Sequence, residues 1–147
     1  MRLFRKDGDG MRPVRRVLVA TDRSVTAGRA VAFAAEMAAR YEAELVVLQV
    51  VVPPDQPSVT MTEELTRDAR AIGGDHARGR VLVGEDPARA IADAAEEEDA
   101  DVVVVGNLGM SGRKEFLLGN VPNRVSHVCR RTVVIVNTAE PDRGRGR

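Results

Sequence analysis

Five short apolar runs, each separated from the next by a helical pattern, limit most strongly how this chain can fold. The runs occupy residues 17–20, 45–52, 81–83, 102–105 and 133–136. They are continuous and rich in valine rather than alternating, which is typical of strands that are covered on both faces. The alternation of strands and helices predicts an α/β fold: a doubly wound, five-stranded parallel sheet with right-handed crossovers and helices on both faces.

The first and last helices have recognisable limits. Ser24 can cap the first helix, which we expect to run to about Glu42. The last helix is expected over about residues 121–130. Residues at helical spacing predict which side of the first helix faces the core. This apolar stripe comprises Ala27, Val31, Ala34, Ala38 and Tyr41.

The second and third helices also carry end signals. Thr60 and Glu63 form a capping box for the second helix, which a pair of glycines at residues 73–74 ends. Asp86 followed by Pro87 predicts the start of the third helix, because the side chain caps the helix and proline needs no hydrogen-bond acceptor there.

Ligands of such sheets bind beyond the carboxyl ends of the strands, where the strand order reverses. Functional residues are therefore expected just after each apolar run. Asp22 follows the first run, where a carboxylate can hydrogen-bond a ribose hydroxyl or help to hold Mg²⁺. The alternative is a turn residue that supports the helix N-terminus. Gly84 follows the third run and indicates an ordinary strand-to-helix turn.

The segment after the fourth run is the most informative part of the sequence. Gly106 and Gly109 flank a tight turn directly after the strand, and Gly119 and Asn120 precede the last helix. Free N–H groups at a helix start, together with a glycine turn, form a preformed anion site. Arg113 and the lysine that follows it add positive charge between the two glycine clusters. This arrangement suits a phosphate chain.

Two common nucleotide motifs are missing from the sequence. No G-x-x-x-x-G-K-S/T is present, so the chain is not a P-loop NTPase. No G-x-G-x-x-G follows the first strand, so an NAD-type site is not expected.

The glycine spacing resembles that of the universal stress proteins, which carry G-x2-G-x9-G-S/T after their fourth strand. Gly106, Gly109 and Gly119 match this spacing, and residues 17–22, 84–87 and 133–136 support the match. The resemblance covers about residues 14–137. We expect one domain over residues 14–138, preceded by a flexible leader at 1–13 and followed by a flexible basic tail at 139–147.

The resemblance implies a Rossmann-like fold of the adenine nucleotide alpha hydrolase-like type, with strand order 3-2-1-4-5, and an ATP-binding subclass. It places Asp22 near the ribose and metal, with Ala20 and Thr21 bordering the adenosine. It also places the main chain of Val50 against the adenine. The phosphate-contacting stretch that it implies comprises Gly106, Gly109, Gly119, Asn120 and Val121.

Asn120 departs from the family motif, which has serine or threonine there. Its amide can still cap the helix and donate to a phosphate, but its reach differs from that of a hydroxyl. Some members that resemble this chain in carrying Gly-Asn after the fourth strand bind cyclic AMP. AMP or cAMP therefore stays open as an alternative to ATP.

Composition limits which classes of binding partner and which cellular compartment we expect. Twenty-two basic residues balance twenty-two acidic ones, which gives no overall attraction to nucleic acid. No apolar run approaches the length of a membrane span, about 20 residues. The single cysteine, Cys129, cannot form an internal disulfide, which fits a cytoplasmic protein. We expect Cys129 to be a small buried apolar residue, and His127 to lie at the surface.

The sequence favours a binding protein over an enzyme. It contains no convincing Ser-His-Asp or Cys-His arrangement. Asp22, Lys114 and Asn120 are the polar candidates near the phosphates, and none has an evident catalytic partner. We expect a nucleotide-binding regulatory or stress-response module, with a slow ATPase or a ligand-free dimerisation adaptor as alternatives. The acidic run at residues 96–99 is interpreted as a solvated face.

The last strand predicts a homodimer. Its run at residues 133–136 contains no proline, glycine or charge, so its outer edge is not protected against pairing. Pairing with the same strand of a second copy would satisfy both edges about a two-fold axis, and the family resemblance implies the same interface. The alternative is a C-terminal tail that folds back over the edge from Thr138.

Overall fold

The computed structural model describes residues 12–107 and 121–139, in which strands and helices alternate along the chain. One short 3-10 turn, Gly74–His76, lies between the second helix and the third strand. The elements are β1 (Arg16–Ala20), α1 (Val25–Tyr41), β2 (Glu44–Val51), α2 (Val59–Gly73), β3 (Ala77–Val83), α3 (Pro87–Glu97), β4 (Val102–Gly106), α4 (Val121–Val128) and β5 (Thr132–Val136).

The five strands form one parallel sheet in the order β3-β2-β1-β4-β5, which confirms the predicted fold and strand order. The chain passes from β1 outward to β2 and β3, and then crosses to β4 and β5 on the other side of β1. The strand order therefore reverses between β1 and β4. In folds of this class that point is where ligands bind.

The core has two layers, one on each face of the sheet. Val17 and Val19 pack with α1 and α2 on one face, whereas Leu18 packs with α3 and α4 on the other. All three side chains are fully buried. Burial on both faces explains why the strand runs are continuous rather than alternating.

The helix starts are partly as predicted. Ser24 caps α1 by accepting a hydrogen bond from the Ala27 N–H at 3.1 Å, and Asp86 caps α3. The capping box at Thr60 was wrong. The cap of α2 is Ser58, whose hydroxyl accepts from the Met61 N–H at 3.2 Å, so that the helix begins at Val59.

Three further expectations need correction. Tyr41 was placed in the apolar stripe of α1 but is 57% exposed, because the helix ends there and Glu42 turns the chain in the left-handed conformation. β3 begins at Ala77 rather than at residue 81. The sequence prediction missed the first half of this strand because its two arginines interrupt the apolar pattern. α4 ends at Val128, two residues before the expected end.

The acidic run at residues 96–99 is largely exposed, as expected of a solvated face, and arginines pair with all of its members. Arg131 binds Glu96 at 2.9 Å and Asp99 at 3.1 Å. Arg80 pairs with both glutamates between them. The hydrogen bond from Arg131 lowers the pKa of Glu96. These pairs join the C-terminal end of α3 to β3 and to the residue before β5, and none of the paired residues lines the predicted site.

Candidate functional site

An open crevice of about 1130 Å³ lies at the carboxyl ends of the strands. The ends of β1, β2 and β4 form its floor, and residues from α1, α2, α3 and α4 contribute to its walls. Pockets for small ligands are commonly about 300–1,000 Å³, so the volume of the crevice does not limit a nucleotide-sized ligand.

The crevice collects the predicted site residues that the structure describes. All six of them line it, although they come from four different parts of the chain: Ala20, Thr21, Asp22, Val50, Gly106 and Val121. Four further predicted residues, Gly109, Arg113, Gly119 and Asn120, lie outside the described residues. Gly84 does not line the crevice, and its N–H donates to Val51 O at 3.0 Å, as expected of a strand-to-helix turn.

The turn between β1 and α1 fixes Asp22 at the crevice. Oδ1 of Asp22 accepts the Ser24 N–H at 2.9 Å, and the hydroxyl of Thr21 accepts the Arg23 N–H at 3.0 Å. The guanidinium of Arg23 in turn binds Asp68 on α2 at 2.7 Å. Asp22 therefore supports the turn, as the alternative interpretation held, and it also lines the crevice. The bond to Ser24 uses one of its two carboxylate oxygens.

The main chain of Val50 faces the crevice because β1 ends before it. The Thr21 N–H donates to Leu48 O at 2.8 Å, just beyond the last residue of β1. Peptide groups of alternate strand residues point to the same side, so the N–H and C=O of Val50 also point toward β1. β2 continues to Val51 where β1 has stopped. This exposed peptide edge can hydrogen-bond a flat heterocycle such as adenine.

Metal binding at this site would depend on the ligand. No group of three or more potential metal-binding side chains occurs within residues 12–107 and 121–139. Mg²⁺ is commonly bound through one or two carboxylates together with substrate phosphates. Asp22 fits the first of these roles, provided that a nucleotide supplies the phosphates.

Sequence reasoning missed Asn107, which follows the last residue of β4. Its Oδ1 accepts the N–H of Thr138 at 2.9 Å and the hydroxyl of the same residue at 3.2 Å. The C=O of Thr138 accepts a hydrogen bond from Arg29 on α1. A polar residue directly after a strand glycine was the available signal. Its partner, 31 positions away, could not be found from spacing.

Arg124 at the mouth of the crevice was also missed. It lies in α4, and its guanidinium forms a two-pronged pair with Asp86, the cap of α3. The hydrogen bond from Arg124 lowers the pKa of Asp86. Arg113 was the arginine assigned to the site from the sequence, whereas Arg124 is the basic side chain found among the described lining residues.

The two remaining candidates, His127 and Cys129, do not line the crevice. His127 is exposed on α4, as expected. Cys129 is half-buried and packs against the core layer under α3 and α4, as a small apolar residue does. In the described part of the chain, no helix is long and apolar enough to cross a membrane.

The sequence model of the universal stress protein family matches residues 13–137. The chain belongs to this family. Universal stress protein Rv1636 of Mycobacterium tuberculosis is 34% identical over 141 residues, which cover 83% of this chain and 95% of that protein. A universal stress protein of Methanothermobacter thermautotrophicus is 36% identical over 115 residues, which cover 66% of this chain and 78% of the relative.

Solved structures of universal stress proteins share the fold. A universal stress protein in complex with cAMP is 34% identical, with a TM-score of 0.69 over 87% of this chain and 100% of that one. The universal stress protein UspA of Lactobacillus plantarum is 18% identical and supports the fold alone, with a TM-score of 0.68 over 86% of this chain and 99% of that one.

Proposed function

We propose that this universal stress protein binds an adenine nucleotide in the crevice and acts as a cytoplasmic regulatory or stress-response module without a fast chemical step. One observation carries the proposal. The residues that the family resemblance assigns to the nucleotide come together at the reversal of strand order, wherever the structure describes them.

The geometry suits each part of the ligand. The peptide edge at Val50 offers a donor and an acceptor to adenine. The remaining oxygen of Asp22 can accept a ribose hydroxyl. Gly106 and Val121, at the end of β4 and the start of α4, border the region expected to hold phosphate. The N-terminus of a helix favours negative charge there.

ATP, AMP and cAMP are the candidate nucleotides. The family resemblance carried by the glycine spacing implies ATP, with Mg²⁺ held through its phosphates and Asp22. Cyclic AMP is favoured by the 34% identical structure, which is a complex with cAMP. The charge of the crevice also favours cyclic AMP. Four carboxylates line the crevice: Asp22, Asp55, Glu85 and Asp86. A singly charged phosphodiester meets less repulsion from them than a triphosphate that carries no metal.

A binding role agrees with the side chains around the crevice. Asp22 already holds the Ser24 N–H, and Asp86 already holds Arg124, so both carboxylates have structural partners. We therefore expect any hydrolysis of ATP to stay below about 1 s⁻¹, the low end of ordinary enzyme turnover.

Thermal unfolding in the presence of nucleotides tests the proposal. A ligand that binds only the folded state contributes about 2.7 kcal/mol at a hundredfold excess over its Kd. ATP with Mg²⁺, AMP or cAMP should therefore raise Tm, with GTP as the reference. Gly109→Val or Gly119→Val should abolish the rise, because we expect a side chain at either position to occupy the space that the resemblance assigns to phosphate. Failure of every adenine nucleotide to raise Tm at millimolar concentration would overturn the proposal.

A further inference from the structure

An arginine–carboxylate pair spans the mouth of the crevice between α3 and α4. NH1 of Arg124 donates to Oδ1 of Asp86 at 2.7 Å, and NH2 donates to Oδ2 at 2.6 Å. The guanidinium therefore has a fixed orientation. A guanidinium has five N–H donors, so this pair leaves donors for a second acceptor.

Among the described residues that line the crevice, Arg124 supplies the positive charge for an anion. Within residues 12–107 and 121–139, the lining side chains include four carboxylates and a single basic group, that of Arg124. A phosphate that entered without contacting Arg124 would meet mainly negative charge among these residues. Arginine binds phosphate through charge-assisted hydrogen bonds that are stronger than those between neutral groups.

Folding stability alone does not explain why Arg124 and Asp86 form an ion pair. The two side chains are 46% and 41% exposed, and ion pairs with such exposure contribute little to folding. α3 and α4 already pack through apolar residues, since Ala88, Ile91 and Val125 belong to one buried cluster. The helices therefore do not depend on the ion pair for their contact.

We propose that Arg124 is a phosphate ligand of the crevice and that Asp86 is the positioning residue that orients it. This inference rests on the proposed nucleotide function and adds a specific residue to it. Arg124 lies one helical turn from Val121, at the end of α4 that borders the expected phosphate region. It would let the site distinguish phosphorylated adenosine from adenosine itself.

Calorimetric titration of the full chain with cAMP, AMP, ATP plus Mg²⁺ and adenosine tests the inference. Arg124→Gln should weaken binding of the nucleotides by about tenfold or more, as expected for one hydrogen-bonded charge, and leave the affinity for adenosine within about twofold. Arg124→Lys keeps the charge and should retain part of the nucleotide affinity. Arg89→Gln is the matched control, since Arg89 lies exposed on α3 outside the crevice.

The possible results distinguish a failure of the Arg124 assignment from a failure of the proposed nucleotide function. If the natural protein binds neither adenosine nor any of the nucleotides, both fail. If it binds nucleotides and Arg124→Gln binds them equally well, only the inference fails. Equal losses for adenosine and nucleotides, or an equal loss in Arg89→Gln, would also overturn it, because the effect would then be one of shape or overall charge. If melting shows Arg124→Gln to be unfolded, the lysine variant decides: it supports the inference only if its loss is confined to the phosphorylated ligands.

Discussion

The side-chain oxygen of Asn107 accepts both the main-chain N–H and the hydroxyl of Thr138, at 2.9 and 3.2 Å. Thr138 is fully buried, and its C=O accepts a hydrogen bond from Arg29 of α1. The residue that follows the crevice end of β4 is thereby tied to the chain just beyond β5. The candidate nucleotide site and the edge strand of the sheet share this connection.

Replacing Asn107 by alanine should destabilise the fold by about 1–3 kcal/mol, the cost of removing a partner from a buried polar group. Urea unfolding measures this as a lower midpoint with an unchanged slope. Asn123→Ala is the control, because Asn123 is exposed on α4 and surface changes stay within about 0.5 kcal/mol. Equal stability of the two variants would mean that the Asn107 contact contributes nothing.

Two glycine-to-alanine changes should act in opposite directions. A Cβ at Gly79 in β3 would lie 2.7 Å from the N of Thr66 and 2.8 Å from the carbonyl carbon of Leu65, both main-chain atoms. Gly79→Ala should therefore lose about 1–3 kcal/mol of unfolding free energy through overpacking. A Cβ at Gly28 in α1 meets no heavy atom within 4 Å, so Gly28→Ala should gain about 0.5–1 kcal/mol. Changes of the same sign in urea unfolding would contradict this account.

The strands and their order were predictable because burial on both faces leaves continuous valine runs in the sequence. The start of β3 was not, since Arg78 and Arg80 stand where an apolar pattern was expected. Both arginines pair with Glu98, at the end of α3, and these ion pairs between distant segments leave no local signal. The cap at Ser58 was missed because Thr60 offered a better sequence motif two residues later.

The residues of the candidate site were likewise only partly predictable from the sequence. The resemblance indicated Asp22, Val50 and Gly106, because they lie at or just after the carboxyl ends of strands in a recognisable pattern. Arg124 could not be found from the pattern, since its place at the mouth depends on how α4 packs beside α3. Its partner Asp86 was identified as a helix cap, which is a local feature, but not as part of the crevice.

Stability should fall in acid partly through the ion pairs of Arg131. Hydrogen bonds from Arg131 to Glu96, and from Arg12 and Arg131 to Asp99, lower the pKa of both carboxyl groups. A lowered pKa contributes stability above the ordinary carboxyl pKa of about 4, and this contribution is lost as the pH falls through the folded-state value. Arg131→Gln should therefore lower Tm at neutral pH, and its difference from the natural protein should shrink as the pH falls below about 4.

Melting curves over this pH range provide the check on Arg131. Arg67→Gln is the matched control, because Arg67 is exposed on α2 and has no ion pair within the described part of the chain. A difference between Arg131→Gln and the natural protein that stays constant with pH would show that the two carboxylates are not its cause.

β5 should pair with the same strand of a second copy. It is an outer strand of the sheet, and Ile135 on it is 44% exposed, so a change there leaves the core intact. We expect a dimer by sedimentation at micromolar concentration, and a monomer for Ile135→Lys, because a charge on an edge strand opposes pairing. Ile72→Lys on α2 is the control and should stay dimeric. A natural protein that is monomeric with and without nucleotide would exclude this interface.

The most direct test of the central claim is a titration of the isotope-labelled protein with cAMP, and separately with ATP and Mg²⁺, followed by amide chemical shifts. We expect shifts at Thr21, Asp22, Val50 and Val121, which line the crevice. The amides of Ala43 and Ala100 precede β2 and β4, at the amino-terminal ends of the strands and opposite the crevice, and their chemical shifts should not change. GTP should leave the spectrum unchanged. The claim that this crevice is the nucleotide site would be contradicted by unchanged spectra with every adenine nucleotide. It would also be contradicted by shifts confined to the strand ends near Ala43 and Ala100.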